Sequence, residues 1–468
     1  MKALITCISG VEMSRKYNLL TILEGNPVVV ESTERTKFSL GEAVDYSGNG
    51  LVAVSEPKDE VYKVLLEAVD SASEGIRRSN PYSIGIRDVD EATERMWSKL
   101  EYTAKLFLRK LFFSAPVIIR FHNDADGSSG ACSLYKSIDL LYEKIGTINN
   151  PYWIMHKGIS YRKEDAESDT LFFNAYSSYE KPLLVIVDFG TSPESNEGVA
   201  AIKDRADIIW LDHHPLHEDA ECQKLKYYIN PWQFSADSNY TAGTLASIFA
   251  SIFSNADVKE FIYSSMIGDY SDYKIKYDEA VGTAAILDML TSDPTIIGSS
   301  DKISPKELLN AVNGQKREEL LNFANVTLNE VLDNSFKESK RYETQKGVAI
   351  YVLDYERVKP ESKYPLPGRF SSKFLERLEE KEPEGVIVMV HAGVYISIRS
   401  SVSSRSINIK RAIEIASENK PGLIESYGGH EYASSVKVRI KESKPEVITA
   451  LVNAVKSMNS ADVDKSSV

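Results

Sequence analysis

The sequence predicts an α/β protein built on a parallel sheet, with a smaller α/β domain, a β-rich N-terminal region and a helical insert. Three short apolar runs alternate with helical patterns in mid-chain: APVIIRF (115–121), KPLLVIV (181–187) and ADIIWL (206–211). Runs that are apolar on both faces are typical of parallel strands covered by helices on both sides. Each run is followed by acidic or imidazole residues, which we expect to meet at the carboxyl edge of the sheet.

The chain has 468 residues, more than one hydrophobic core usually holds, so we expect several domains. Alternating short strands with Gly, Asn and Pro breaks favour a β-rich first region, either an OB-like barrel or a plain β appendage. The predicted divisions are β-rich residues 1–56, a helical connector 57–113, the parallel-sheet domain 114–275, a helical insert 276–345, a second α/β domain 346–458 and a disordered tail 459–468.

The amino-acid composition indicates a globular protein and argues against a membrane-spanning one. Hydrophobic residues make up 43% and charged residues 26% of the chain, as in ordinary globular proteins, and the apolar runs are too short to span a bilayer. We therefore expect no membrane partner, and the N-terminus shows no signal-peptide pattern. The three cysteines are scattered without a CxxC pair, which favours free thiols in a reducing compartment and a cytoplasmic location.

The net charge of the chain argues against a protein that binds nucleic acid through its overall charge. The net charge of −13 is opposite to that of a protein that coats nucleic acid through bulk charge. Residues 397–411 nevertheless carry four cations and no acid, a basic strip suited to the backbone of one nucleic-acid strand.

The segment HNDADG (122–127) places His122, Asp124 and Asp126 within five residues. Two carboxylates so close repel each other unless a cation lies between them. Small residues follow, and we expect them to open a helix whose N-terminal amides favour an anion.

Four segments of the chain resemble, in order, the motifs of the DHH phosphoesterases, and of their RecJ-like branch in particular. They are HNDADG (122–127), VDFG (187–190), DHH (212–214) and IGDYSD (267–272). Two later segments, ISIRSS (396–401) and SYGGHEYASSVKV (426–438), are similar to the DHH-associated C-terminal domain with its Gly-Gly-His turn.

This resemblance implies a parallel-sheet DHH catalytic domain with two divalent cations, Mn²⁺ or Mg²⁺, which suit a carboxylate-rich site better than zinc does. Asp188 is the candidate bridge between the ions; Asp124 and Asp269 would complete one site, and Asp126 and His213 the other. Asp272 is the alternative to Asp269. The implied catalytic residues are His214 at the scissile phosphate, Asp212 as its orienting neighbour and His122.

The resemblance also implies a substrate-binding role for the second α/β domain. Its candidate residues are Arg399, Ser401, Gly428, Gly429 and His430. The glycines would let backbone amides approach a phosphate, and the arginine offers a fork for bidentate contact.

The function implied is that of an archaeal RecJ-like exonuclease of the GINS-associated type, hydrolysing single-stranded DNA or RNA in replication or repair. One alternative is a phosphodiesterase of short oligoribonucleotides or cyclic dinucleotides. Another is a replisome scaffold that binds a GINS-type complex through the helical insert and in which nuclease activity is secondary. Polarity and the choice between DNA and RNA stay open.

Overall fold

The structure is a computed structural model that describes residues 2–11, 14–34, 38–47, 50–53, 58–146, 149–273, 275–429 and 432–458. It consists of two compact units, Met1–Glu318 and Glu319–Val468. The predicted α/β class is confirmed, with a β-rich N-terminal region, a parallel sheet and a further α/β part. The expected disordered tail, residues 459–468, lies outside the described residues.

The elements of the described chain, in order, are as follows. The strands are β1 (Lys2–Val11), β2 (Ser14–Leu23), β3 (Asn26–Glu34), β4 (Ala43–Ser47), β5 (Gly50–Ala53), β6 (Val117–His122), β7 (Tyr152–His156), β8 (Ser177–Ser178), β9 (Leu183–Val187), β10 (Asp207–Leu211), β11 (Tyr227–Ile229), β12 (Lys340–Glu343), β13 (Ala349–Asp354), β14 (Val386–Ala392), β15 (Tyr395–Ser400), β16 (Ile424–Gly429) and β17 (Ala433–Val438). The helices are α1 (Lys58–Ile76), α2 (Arg87–Phe112), α3 (Ala125–Ile145), α4 (Lys163–Asn174), α5 (Asn196–Ile202), α6 (Ala242–Ile252), α7 (Lys259–Gly268), α8 (Asp278–Ser292), α9 (Pro305–Asn313), α10 (Arg317–Glu338), α11 (Pro367–Glu379), α12 (Ile409–Asn419) and α13 (Lys444–Ser457).

The first five strands form an antiparallel sheet in the order β3-β2-β1-β4-β5. Alternate residues of these strands, among them Ile5, Leu19 and Val44, pack into one small core. The sheet is joined to the next domain, because β1 also pairs with β8 in the register Cys7↔Ser178. In addition, the Asn149 side chain donates to Cys7 Sγ (3.2 Å) and to the Ser114 carbonyl (2.9 Å). The OB-like assignment stays a prediction.

The second sheet of this unit is parallel throughout and has the order β11-β10-β9-β6-β7. Its strands are buried on both faces, as the apolar runs predict. On one face Ile186 packs with residues of α4 and α5. On the other, α3 and α6 approach closely at Gly130, where a Cβ would lie 2.9 Å from the Ala246 Cβ and 3.1 Å from a Val187 methyl group.

The unit Glu319–Val468 contains a mixed six-stranded sheet in the order β12-β13-β14-β15-β17-β16. Helices α10 and α11 cover one face through side chains such as Leu332 and Phe374. Helices α12 and α13 cover the other through Ile413 and Leu451. The predicted insert, residues 276–345, contains α8, α9 and α10, and its boundaries, like the other predicted domain boundaries, remain predictions.

None of the helices in the part of the chain that the structure describes has the length and apolar character needed to cross a membrane.

Candidate metal centre

The register of the parallel sheet brings the predicted polar residues to one edge. Phe121 pairs with Val187, and Val187 pairs with Leu211, so these three residues lie side by side near the carboxyl ends of their strands. The next residues along each strand are His122, Asp188 and Asp212. Side chains from three distant parts of the sequence therefore meet at the carboxyl ends of their strands, where ligands bind in open α/β sheets.

The loop from β6 to α3 is fixed by Asp124 and Gly127. Asp124 is the N-cap residue of α3, and its Oδ1 accepts from the Gly127 amide at 2.9 Å. A Cβ on Gly127 would lie 2.6 Å from the His122 carbonyl oxygen, so only glycine allows the helix to start this close to the strand. The carboxylates on both sides of this turn are thereby held in place.

One set of potential metal ligands consists of His122, Asp124 and Asp188. Their ligand atoms lie within 4.8 Å of one another. His122 Nδ1 is 2.7 Å from Asp124 Oδ2 and 3.7 Å from Asp188 Oδ2. His122, which the sequence suggested as a catalytic residue, thus lies where it can also act as a ligand.

A second set consists of Asp126, His213 and Asp269. The His213 Nδ1 is 2.8 Å from the Ser238 carbonyl oxygen, which requires Nδ1 to carry the proton and to donate. The Nε2 atom then faces Asp126 Oδ2 (3.5 Å), Asp188 Oδ1 (3.4 Å) and Asp269 Oδ2 (3.7 Å). An imidazole fixed in this tautomer by a carbonyl is the usual form of a metal-ligating histidine.

Asp126 is held from the opposite side by α6 and α7. Its carboxylate accepts from the Ala242 amide (3.1 Å), the Gly243 amide (2.7 Å) and the Ser265 hydroxyl (2.5 Å). A side chain on Gly243 would collide with Asp126, which makes glycine necessary there. These contacts fix the carboxylate orientation before any cation binds.

Asp188 lies between the two sets. Its Oδ1 is 3.4 Å from His213 Nε2, and its Oδ2 is 3.7 Å from His122 Nδ1. The Oδ2 atom is buried and makes no hydrogen bond with the described residues. Its backbone φ of 68° is unusual for a residue other than glycine and aims the side chain into the cluster. A buried carboxylate oxygen without a donor, among further carboxylates and imidazoles, fits hard divalent cations.

The electrostatics of the cluster favour added positive charge. Burial, followed by the nearby Asp188 carboxylate, raises the pKa of Asp126 well above its ordinary value. Burial acts to lower the pKa of His213, but the surrounding carboxylates, Asp269 foremost, raise it well above its ordinary value. Nearby carboxylates contribute to both shifts, because several of them share a small, largely buried volume.

Asp212 and His214 form a neighbouring pair that is already satisfied. Buried Asp212 accepts from the backbone amides of His213 (2.7 Å) and His214 (3.2 Å), from His214 Nδ1 (2.7 Å) and from the Thr191 hydroxyl. Burial would raise the pKa of Asp212, but the His214 imidazole outweighs it and holds that pKa below its usual range. Asp212 in turn raises the pKa of His214 against the effect of burial. Asp212 thus orients His214, whose ring is half-exposed.

The two candidates in the last motif lie in different places. Asp269 follows α7 directly and faces His213, because Gly268 leaves room for α7 to end against Ala125. Asp272 instead lies against Asn239, whose side-chain oxygen accepts its backbone N–H at 2.8 Å. Asp269 therefore groups with Asp126 and His213, whereas the sequence analysis paired it with Asp124.

Two amides in the first turn of α3 are occupied by carboxylates of the chain itself, whereas the sequence analysis expected these amides to favour an anion. Asp124 accepts from Gly127, and Asp288 of α8 accepts from the Ala125 amide at 2.8 Å. Sequence reasoning missed Asp288 because 163 residues separate it from its partner and no local pattern marks it.

The predicted substrate residues of the second unit are placed as follows. Arg399 on β15 donates from Nε to the Ser372 hydroxyl (3.3 Å) and from Nη1 to the Ile398 carbonyl (3.0 Å). Gly428 and Gly429 lie on β16, one strand beyond β17, and a Cβ on Gly428 would meet nothing within 4 Å. His430 lies outside the described residues.

Ser401 is placed less favourably for binding a substrate. It is 2% exposed, and its hydroxyl accepts from the Val386 amide at 2.9 Å and lies 2.8 Å from the Ser404 hydroxyl. These contacts fix the start of β14, so the geometry supports a structural role for Ser401.

Comparison with known proteins finds a domain match and similar folds. Residues 116–267 match the N-terminal domain of the DHH family. An uncharacterized protein of Methanocaldococcus jannaschii is 24% identical over 457 residues, which cover 86% of this chain and 58% of that protein. The chain thus spans little more than half the length of this curated relative.

Two solved structures share the fold. The DHH domain of a member of the S1p family of ribosomal proteins aligns with a TM-score of 0.70 at 21% identity, covering 86% of this chain and 99% of that one. RecJ of Thermus thermophilus in complex with Mn²⁺ aligns with a TM-score of 0.50 at 14% identity, covering 80% of this chain and 60% of that one. Residues 116–267 thus resemble a DHH N-terminal domain, and the acidic cluster lies at the sheet edge of this same part of the chain.

Proposed function

We propose that this chain is a cytoplasmic exonuclease that hydrolyses phosphodiester bonds of single-stranded nucleic acid, in DNA replication or repair, with two divalent cations. Asp188 would be shared by the ions, with His122 and Asp124 on one side and Asp126, His213 and Asp269 on the other. When bound, Mn²⁺ or Mg²⁺ supplies Lewis acidity and lowers the pKa of a ligand water toward neutrality.

One observation carries the proposal. The two oxygens of Asp188 face different ligand sets, at 3.4 Å from His213 Nε2 and 3.7 Å from His122 Nδ1, and the buried Oδ2 accepts no hydrogen bond from the described residues. A lone structural carboxylate has no reason to remain buried without a donor, since that costs roughly 1–3 kcal/mol or more. A shared cation ligand accounts for the position, the burial and the missing donor together.

The residues of the chain have distinct tasks in this proposal. Asp212 accepts from His214 Nδ1 at 2.7 Å and raises the pKa of that imidazole. This shift favours the doubly protonated ring, whose half-exposed Nε2 would donate to a non-bridging phosphate oxygen as negative charge develops there. Asp126 is held by three donors, so its carboxylate keeps its orientation while the phosphodiester bond is hydrolysed.

The likeness to RecJ supports Mn²⁺ or Mg²⁺ as the ions and phosphodiester hydrolysis as the reaction. That protein binds Mn²⁺ in its structure, and its fold is shared at 14% identity. The donor set of this chain, rich in carboxylates with one or two imidazoles, is the kind that Mn²⁺ and Mg²⁺ accept.

Substrate binding by the second unit is part of the proposal. Arg399, Gly428, Gly429 and His430 would hold the phosphate backbone of a single strand, with the arginine providing charge and the glycines open backbone amides. Ser401 would contribute indirectly, by fixing the start of β14, the strand that precedes Arg399 in the chain.

A partner of the GINS type is a separate proposal, in which α10 of the predicted insert is the docking element. Phe323 and Val326, three residues apart on this helix, are 40% and 46% exposed. Replacing both with glutamate should abolish capture of the chain by a GINS complex and leave hydrolysis unchanged. Equal capture of the variant would contradict docking through α10.

The nuclease proposal is tested with DNA and RNA strands labelled at the 5′ or the 3′ end, single or annealed, in the presence of Mn²⁺. We expect stepwise shortening of single strands, little attack on duplexes, and no activity in chelator. In Asp188→Asn, hydrolysis should fall by about 10³-fold or more, because several kcal/mol of transition-state stabilisation depend on the ions.

Asp272→Asn serves as the matched control, since Asp272 lies on the same loop as Asp269 but its carboxylate accepts from the Asn239 side chain at 3.4 Å. If Asp188→Asn keeps wild-type hydrolysis with metal, the site assignment is wrong. Faster turnover of dinucleotides than of long strands would instead support the small-substrate phosphodiesterase.

A further inference from the structure

The turn after β11 carries a tryptophan beside the DHH motif. Trp232 is 40% exposed, whereas Trp97 and Trp210 are buried and Trp153 is half-buried. A single exposed aromatic residue is ordinary on a protein surface. Trp232 differs in its position and in the way its ring is held.

The indole is tied to the candidate metal centre. Its Nε1 donates to the His213 carbonyl and to the Ser238 hydroxyl, both at 3.1 Å. The Ser238 hydroxyl also donates to the His213 carbonyl at 2.8 Å. The exposed ring is thereby anchored to the backbone of the residue whose imidazole faces the carboxylates.

The turn that carries the ring is fixed at both ends. Buried Asn230 accepts from the Trp232 amide and donates to the His214 carbonyl, both at 3.0 Å. Arg95 of α2 donates to the Phe234 carbonyl at 2.7 Å and to the Ser235 carbonyl at 3.3 Å. The turn that carries the ring is therefore ordered before a ligand arrives, with or without the indole N–H, which lowers the entropic cost of stacking against the ring.

We propose that Trp232 is a nucleobase platform, on which an unpaired base next to the scissile phosphate stacks. This inference rests on the proposed function and specifies the substrate as a strand whose bases expose their faces. Stacking on an aromatic ring is tolerant of sequence, because every base has a π-face. Stacking also supplies affinity that does not depend on positive charge. This suits a chain with a net charge of −13, which repels the phosphate backbone.

A purely structural role for Trp232, as an anchor of the loop through its N–H group, predicts different behaviour. Trp232→Phe keeps an aromatic ring and loses the N–H donor, whereas Trp232→Ala loses both. Platform stacking predicts a KM for oligothymidylate near the wild-type value in Trp232→Phe. In Trp232→Ala, we expect KM to rise about tenfold, within the range that stacking of one base contributes.

The decisive comparison changes the substrate. On an oligomer made of abasic tetrahydrofuran residues, wild type and Trp232→Ala should have the same KM, because no base is present to stack. An equal penalty on both oligomers, or a defect in Trp232→Phe as large as in Trp232→Ala, would overturn the platform. Tyr152→Ala is the matched control, since Tyr152 is 42% exposed at the opposite, amino end of β7.

Fluorescence gives a readout that does not require hydrolysis. A phosphorothioate oligothymidylate, titrated with Mg²⁺ present, should quench the wild-type tryptophan emission and leave that of Trp232→Phe nearly unchanged. Anisotropy of a dye at the end of the same oligomer reports binding independently. Binding without quenching would contradict the platform, whereas absence of any binding would contradict the nuclease proposal itself.

Discussion

Strand β6 borders two acidic clusters whose charges are balanced in different ways. In the first, Arg120 donates to both oxygens of Asp169, at 2.6 Å and 2.9 Å, and to Asp165 at 3.2 Å. The Tyr161 hydroxyl completes the first cluster with a 2.9 Å bond to Asp169. In the second, the candidate metal centre, the ion pairs found among the described residues involve only histidines as cations.

This difference separates a structural ion pair from a site that is prepared for a ligand. Arg120 and Asp169 are both nearly fully buried and satisfy each other, so the first cluster holds α4 on the sheet. The second cluster keeps carboxylates close together and leaves Asp188 Oδ2 without a donor among the described residues. Acidic residues alone do not identify a metal site; a buried carboxylate oxygen without a donor among the described residues, such as Asp188 Oδ2, is a more specific sign.

The largest effect that tests this contrast concerns folding stability. Asp169→Ala leaves the Arg120 guanidinium buried without its partner, and we expect the free energy of unfolding to fall by about 3–5 kcal/mol. Asp188→Asn removes one of several repelling charges, and asparagine tolerates the positive φ. In chelator this variant should be as stable as wild type or more stable.

Urea unfolding of the two variants in EDTA measures both values. A loss of stability in Asp188→Asn as large as that in Asp169→Ala would show that the two clusters are alike, and the distinction between them would fail.

A second effect separates the two acidic residues of the last motif. Asp269→Asn should weaken Mn²⁺ binding about 10- to 100-fold, as the loss of a group that faces the His213 imidazole and Asp126 implies. Asp272→Asn should bind Mn²⁺ like wild type, because the Asp272 carboxylate lies beside the Asn239 side-chain amide, at 3.4 Å. Calorimetric titration with Mn²⁺ compares them, and the reverse order of affinities would assign Asp272 as the ligand.

The smallest effect concerns Asp288, which accepts from the first amide of α3. Asp288→Ala leaves that amide without its acceptor and should lower stability by about 1 kcal/mol, as loss of a helix cap does. It should also slow hydrolysis about tenfold, since α3 carries Asp126. If the variant has normal stability but slowed hydrolysis, Asp288 contacts the substrate and does not support the N-terminus of α3.

Much of the fold and the candidate centre follows from the sequence for a simple reason. A strand buried on both faces must be apolar until it ends, so polar residues after three such runs mark one edge of one sheet. The order of apolar and polar residues along the chain is therefore enough to locate His122, Asp188 and Asp212, although their roles remain proposals.

The rest depends on contacts that no local pattern records. Asp288, Asn230 and Ser238 reach the centre from loops or helices whose own sequences are ordinary. The grouping of Asp269 with Asp126 follows from how closely α7 can approach α3 at Gly268, which is a packing distance and not a spacing. Ser401 resembled a phosphate contact in sequence, but its burial depends on how β14 starts.

The central claim is that Asp188 joins two cation sites, and Mn²⁺ binding tests it most directly. Stoichiometry and electron paramagnetic resonance should be measured on wild type and Asp188→Asn. The account predicts two Mn²⁺ per wild-type chain with an exchange-coupled signal, and at most one tightly bound, uncoupled ion in the variant. A single uncoupled ion in wild type, or identical binding and spectra in both proteins, would contradict it.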